Sequence, residues 1–255
     1  MISRRVRLVL GIILGILASG YLLLVLVFYT QQRKLGYSPT HQVTPSDLAP
    51  WMVDGNLFGF TRESTSPQAV WLILQGNGGQ AGRRGYFRRV PLQDSLYILE
   101  YPGYGRREGE PTRDSINAAA SAAYRELRHR FPGVPVGVVG ESFGSGPACK
   151  LTREPTPPDS MVLIVPVARL DLVMSRFVPL LPIRLLLRDN WDNIASLRDY
   201  RGPVTIYAAE NDQVIPREHT LLLAGSLPAA RLVWVPGGHN DTGENEVVRL
   251  TRTVK

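Results

Sequence analysis

Ser142 sits in Gly140-Glu141-Ser142-Phe143-Gly144, a G-x-S-x-G string directly after an apolar run ending at Val139. A serine at a sharp strand-to-helix turn is forced into a strained conformation, and neighbours without a Cβ let backbone approach backbone on either side. The hydroxyl then stands clear of the sheet edge. A hydroxyl is a poor nucleophile until a base removes its proton, so the chemistry also needs an imidazole within reach and a group to orient it. Asp212 lies three residues beyond an apolar run ending at Ala209, and His239 four beyond a run ending at Val235. The other histidines, His41, His129 and His219, fall in a polar stretch or on expected helices. Asp171, after a run ending near Val165, is a second candidate acid.

These positions gain meaning from the elements around them. Continuous apolar runs at 69–74, 95–101, 134–139, 161–165, 204–209 and 231–235 have strand length and no polar face, as strands do in a parallel sheet covered on both sides. Helical patterns are expected between them at 82–89, 112–131, 143–153, 217–226 and 244–253. A hairpin is expected at 51–60, where Asp54-Gly55 separates apolar flanks. The alternation predicts an α/β fold with a doubly wound, mostly parallel sheet. Functional residues in such sheets collect beyond the carboxyl ends of the strands, and Ser142, Asp212 and His239 all meet that condition.

The chain has 255 residues and no low-complexity linker, which favours one catalytic domain at 37–255 plus an amino-terminal appendage at 1–36. The net charge of +7 is concentrated in that appendage. Five of the 29 basic residues lie there without an acid, leaving 24 basic against 22 acidic residues elsewhere, so the globular part is nearly balanced, its arginine pairs at 83/84, 88/89 and 106/107 read as solvated faces, and no nucleic-acid partner is expected. Residues 8–29 carry no charge, and at ~1.5 Å per residue a helix of that length spans the ~30 Å hydrocarbon layer. The apolar run continues well past Ala18-Ser19-Gly20, which favours an uncleaved transmembrane anchor over a signal peptide. Both flanks are basic, with a slight lean to an inward amino terminus and an outward catalytic domain. Residues 31–67, polar and dotted with prolines, read as a tether running into the hairpin. The one cysteine, Cys149, reads as a packed core residue.

The chain resembles the α/β-hydrolase fold, and more closely the membrane-anchored α/β-hydrolase-domain (ABHD-type) serine hydrolases. Beyond the elbow, the resemblance rests on Gln75-Gly76-Asn77-Gly78-Gly79, Glu100-Tyr101-Pro102-Gly103-Tyr104-Gly105, Glu210-Asn211-Asp212-Gln213-Val214-Ile215-Pro216 and Gly237-Gly238-His239-Asn240-Asp241. It implies Ser142 as nucleophile, His239 as base and Asp212 as the acid that fixes the imidazole tautomer. It also implies an oxyanion hole formed by the backbone N–H groups of Phe143 and Asn77. Gln75 departs from the family, which usually has histidine there, with a possible change of substrate preference.

The segment 168–202 lies where this fold places a lid, and its apolar residues could line an acyl pocket, touch the bilayer, or simply pack over the helices. No Cys/His cluster suggests zinc, no P-loop is complete, and no cofactor is expected. The expected activity is hydrolysis of a carboxylic ester or thioester, with a small-molecule or lipid acyl ester as substrate. A peptidase or amidase of the same fold, or a non-catalytic tethered interaction module, are the alternatives.

Overall fold

A computed structural model of the chain describes residues 3–41, 46–83 and 89–250. It opens with α1 (Arg4–Gly36), 33 residues long and capped by the Ser3 side chain. Its most apolar window has a mean hydropathy of 2.6 and none of that window is buried in the protein. A core helix of a water-soluble domain would bury one stripe; over that window this one is apolar all round and bare, and its buried residues, Phe28 and Gln32, lie towards its carboxyl end. Arg33 and Lys34 in the last turn complement the helix dipole.

A short strand, β1 (Ser38–Pro39), leads to the hairpin of β2 (Ala49–Val53) and β3 (Asn56–Arg62), which turns at Asp54-Gly55 with positive φ at both residues. Then follow β4 (Val70–Leu74), β5 (Gly78–Gly79) and β6 (Ser95–Leu99). Next come α2 (Arg113–Arg130), β7 (Val136–Glu141), α3 (Ser145–Lys150) and β8 (Ser160–Ile164). The insert supplies α4 (Leu170–Phe177), α5 (Ile183–Leu186) and α6 (Asn193–Leu197). The chain continues through β9 (Val204–Ala209), α7 (Arg217–Gly225), β10 (Arg231–Val235) and α8 (His239–Thr242).

Eight strands form one sheet in the order β10-β9-β8-β7-β4-β6-β3-β2, parallel from β10 to β6 and antiparallel at the β3 and β2 edge. β1 and β5 form a separate parallel pair. Every residue of β4 and β6 is buried, which is why these runs show no alternation in the sequence. One covering layer is set by α2, where Ile116, Ala119, Ala120, Ala123, Tyr124 and Leu127 recur at helical spacing and face inward. Its start is fixed by a reciprocal cap in which Thr112 and Ser115 each accept the other's backbone N–H at 3.0 Å. Cys149 is buried in this layer, and burial pushes its thiol above the usual range.

Three expectations are corrected. The helix expected at 244–253 is absent over 244–250: Val248 and Leu250 are buried while their neighbours face solvent, and the Arg249 amide donates to the Tyr207 hydroxyl at 3.0 Å. That alternation belongs to an extended segment docked on β9; residues 251–253 lie outside the described part. The helix expected at 82–89 is a 3-10 turn at Ala81–Arg83, and residues 84–88 are likewise outside. The stretch from Gln31 is no free tether at its start, because α1 continues through Gly36. Gln32 is polar because it bonds the insert backbone, its amide donating to the Leu186 carbonyl at 3.1 Å and its carbonyl accepting from the Arg188 N–H at 2.8 Å.

Candidate active site

β7 carries the chain to Ser142, which takes φ +50°, a conformation a residue with a Cβ seldom adopts. Packing enforces it. A Cβ on Gly144 would run into the Leu74 carbonyl at the end of β4, and one on Gly140 would lie 2.7 Å from the Ala148 methyl. The turn is tied down by Ser145, fully buried, whose hydroxyl donates to the Ser142 carbonyl at 2.5 Å and accepts from the Val167 N–H at 3.2 Å and the Asn193 amide at 3.1 Å.

His239 begins α8, just beyond β10, and its Nε2 lies 2.8 Å from Ser142 Oγ. Its Nδ1 lies 2.8 Å from Asp212 Oδ2. A carboxylate can only accept, so Nδ1 carries the ring proton and Nε2 is left to accept from the serine hydroxyl. Asp212 is oriented by its own loop: Oδ1 accepts the N–H groups of Val214 at 2.9 Å and Ile215 at 2.7 Å. The His239 and Asp212 side chains retain 10% and 4% of their exposure, so water competes little for the bond between them. Residues 97 positions apart thus meet beyond the carboxyl ends of β7 and β10, which β8 and β9 separate in the sheet.

The second candidate acid goes elsewhere. Asp171 is buried against Arg169, with contacts of 3.1 and 2.6 Å, and accepts no bond from His239.

The loop after β4 lies against the same turn. Gly76 N–H donates to the Glu141 carboxylate at 3.0 Å, and Gln75, standing where the resembled family has histidine, donates to Glu100 at 3.1 Å in the buried interior. Asn77 lines one cavity with Ser142 and Phe143. Its side chain is occupied on both sides: the carbonyl accepts from Tyr104 Oη at 2.8 Å, and the amide donates to the Gly36 carbonyl at 2.7 Å, capping α1.

The cavity beside Ser142 measures about 190 Å³. Its walls are chiefly apolar, with Met174, Phe177 and Leu187 from the insert and Ile215 from the Asp212 loop. Sequence reasoning missed a further wall, which comes from the end of α1 and the residue after it: Gln32, Arg33, Gly36 and Tyr37. Arg33 forms a bidentate pair with Asp189 at 2.8 and 3.3 Å, and the Tyr37 ring meets Phe143 edge-on at 5.6 Å. Burial is the largest single influence and would raise the Asp189 carboxyl; the hydrogen bonds and charge of Arg33, together with the Arg113 backbone N–H, outweigh it in sum and hold the group below the usual range. The available signal was the polar Gln32-Arg33 step ending an otherwise apolar helix. Ser145 and Asn193 left no such mark in the sequence, since small polar residues on helices are ordinarily unremarkable. Among the described residues no cluster of His, Cys, Asp and Glu could hold a metal ion.

No protein-family profile matches the chain. An uncharacterized protein of Mycobacterium tuberculosis (strain H37Rv) is 30% identical over 248 residues, covering 90% of this chain and 86% of that one. The lysophosphatidylserine lipase ABHD12 of Danio rerio is 28% identical over 194 residues, which is 62% of this chain and half the length of that protein. Among solved structures, the Pyrococcus furiosus esterase Pf2001 superposes with a TM-score of 0.63 at 15% identity, over 79% of this chain and 90% of that one.

Proposed function

The chain belongs to the α/β-hydrolase family, and from that premise we propose that it is a membrane-anchored serine hydrolase that cleaves a carboxylic ester or thioester through an acyl-enzyme intermediate. The observation that carries this reading is the unbroken line Asp212–His239–Ser142, two contacts of 2.8 Å ending at the cavity.

In this mechanism Ser142 Oγ attacks the carbonyl carbon while His239 Nε2 takes its proton. The negative charge that develops on the carbonyl oxygen is met by the backbone N–H groups of Phe143 and Asn77. Asp212 stabilises the imidazolium through Nδ1 and holds the ring in place without taking the proton. On collapse the alcohol or thiol leaves with the proton from Nε2 and the acyl group stays on Oγ. Water, deprotonated by the same nitrogen, attacks the ester carbonyl; the acid departs and Ser142 regains its proton.

The apolar walls suit an acyl group better than a charged peptide, and the helix α1 supports attachment to a bilayer. Reaction with a fluorophosphonate probe tests the nucleophile. Wild type is expected to label and Ser142→Ala to remain unlabelled; equal labelling of both, or none of folded wild type, would refute the assignment.

A further inference from the structure

The insert does not merely roof the cavity; it climbs the membrane helix. Near the cavity, Gln32 holds Leu186 and Arg188, and Arg33 holds Asp189. Further along α1, Phe28 packs with Leu181 and Ile183 in a small apolar cluster that Val25 also joins. Furthest of all, the Tyr21 hydroxyl donates to the Leu180 carbonyl at 3.2 Å. Tyr21 precedes Tyr29, the last residue of the uncharged run, by about 12 Å at the ~1.5 Å rise of a helix.

The membrane boundary must lie beyond this contact. If it fell at Tyr21, the uncharged run left to cross the bilayer would be only residues 8–20, about 20 Å at helical rise against a ~30 Å hydrocarbon layer. The face of α1 turned away from the insert is also bare where the two run side by side, with Leu22, Leu23, Leu26 and Val27 all exposed. A cover is required there, and the one continuous with the rest of the span is lipid. What rides on the other face of the same stretch lies at the same depth.

The insert tip is built for that depth. Leu180 and Leu185 keep 77% and 85% of their exposure and Phe177 is also exposed. Non-helical backbone tolerates hydrocarbon only when its polar groups are bonded. Here Pro179 and Pro182 bring no N–H at all. The N–H groups of Val178, Leu181, Ile183, Leu185, Leu186 and Leu187 all donate to carbonyls of residues 174–183, and only those of Leu180 and Arg184 lack such a bond. Arg184 is drawn to the buried Asp171 carboxylate at 3.5 Å, and the exposed Arg188 lies over the Tyr29 ring at 5.6 Å, a level suited to anionic headgroups.

We propose that the apolar side chains at the tip of the insert, Phe177, Leu180 and Leu185, are immersed in the same leaflet as the second half of α1, so that the cavity receives its substrate sideways from the bilayer. The substrate class is then a membrane-resident amphiphile with an ester-linked acyl chain, its chain drawn along Phe177 and Met174 and its ester reaching Ser142 near the polar end of α1. The proposal rests on the anchored-hydrolase reading above. At about 190 Å³ the cavity falls below the roughly 300–1,000 Å³ of sites for drug-sized ligands and suits one slender chain.

Depth-dependent quenching tests it on the full chain in vesicles of phosphatidylcholine with a fraction of anionic lipid. Cys149 is buried and does not compete for label. An environment-sensitive fluorophore is placed by Leu180→Cys, by Leu14→Cys within the span, and by Arg201→Cys at the far end of the sheet, with retained fluorophosphonate labelling as the check on folding. Lipids brominated along the chain are expected to quench positions 180 and 14 to a similar extent, at least threefold more than 201. Quenching at 14 but not at 180 would overturn the immersed tip while leaving the anchor intact; quenching at neither would remove the anchor and the proposal together. The paired variant Leu180→Ser/Leu185→Ser lies outside the cavity lining and is expected to lose about tenfold in rate on a vesicle-embedded single-chain ester, with its rate on a short water-soluble ester unchanged. Equal losses on both substrates, or no loss on either, would count against sideways access.

Discussion

Replacing Ser145 by alanine removes one buried oxygen, and the structure allows the cost to be worked out. Three groups lose a partner. The Val167 N–H, buried, has Ser145 Oγ as its recorded acceptor and is orphaned, at about 1–3 kcal/mol. The Ser142 carbonyl keeps a bond from the Ser145 N–H, and the Asn193 amide keeps the Val167 carbonyl at 2.8 Å, so these two lose only net hydrogen-bond stability, about 0.5–1.5 kcal/mol each. No substantial cavity is created. The expected destabilisation is therefore roughly 2–6 kcal/mol, with the orphaned donor the largest single contribution. The same oxygen holds the carbonyl of the residue at φ +50°, so the elbow should loosen and kcat fall by about tenfold, equivalent to ~1.4 kcal/mol in the barrier, with KM little changed. Denaturant unfolding of the detergent-solubilised full chain, followed by tryptophan fluorescence, measures the first quantity and turnover of a short ester the second. A loss under about 0.5 kcal/mol together with an unchanged kcat would show that Ser145 holds nothing in place.

Asp212→Asn keeps an acceptor for the Val214 and Ile215 amides but can offer its own N–H to His239, favouring the wrong tautomer; turnover is expected to fall by roughly 10⁴ with a small change in melting temperature. A fall of less than tenfold in steady-state turnover would exclude the assigned role. Arg33→Ala leaves the Asp189 carboxylate without its bidentate partner and should cost about 1–2 kcal/mol at neutral pH, more than an exposed pair because Asp189 is buried. The native carboxyl titrates below its unfolded value, so this contribution is present above the ordinary carboxylate range and is lost as pH falls through the native pKa. Melting curves of variant and wild type should accordingly converge on acidification; a gap that persists or widens in acid would contradict the ion-pair account.

Most of the sheet was legible because buried parallel strands leave uninterrupted apolar runs: β9 and β10 begin and end where their runs do. The geometry around Ser142 was legible because glycine is demanded where a Cβ would meet Leu74 or Ala148. The carboxy-terminal segment was misread because Val247, Val248 and Leu250 have helix-compatible spacing over so short a stretch, while the Tyr207 hydroxyl that bonds both the amide and the carbonyl of Arg249 is a tertiary contact. The end of α1 was misread for a related reason. Gln32 and Arg33 look like the start of a solvated linker, and only the positions of Leu186, Arg188 and Asp189, more than 150 residues away, turn them inward.

That contact changes what the amino-terminal helix is for. A tether would need only length and apolarity, and its last turn could point anywhere. Here the final carbonyl, Gly36, accepts the Asn77 side-chain amide, while the opposite side of that amide group is held by Tyr104. Ser38 and Pro39 then pair with Gly78 and Gly79, so the loop bearing the candidate oxyanion donor is fastened on one side to the end of α1 and on the other to Glu141 beneath the elbow. Glycines make that loop free to approach a substrate but also free to wander, and a donor that wanders stabilises little developing charge. The helix end removes that freedom. Tyr37 does the same for Phe143, the residue of the second candidate donor, through an edge-on ring contact. Both sides of the site into which the carbonyl oxygen would fit therefore depend on residues at or just beyond the end of α1, and the end of that apolar helix is part of the wall around Ser142.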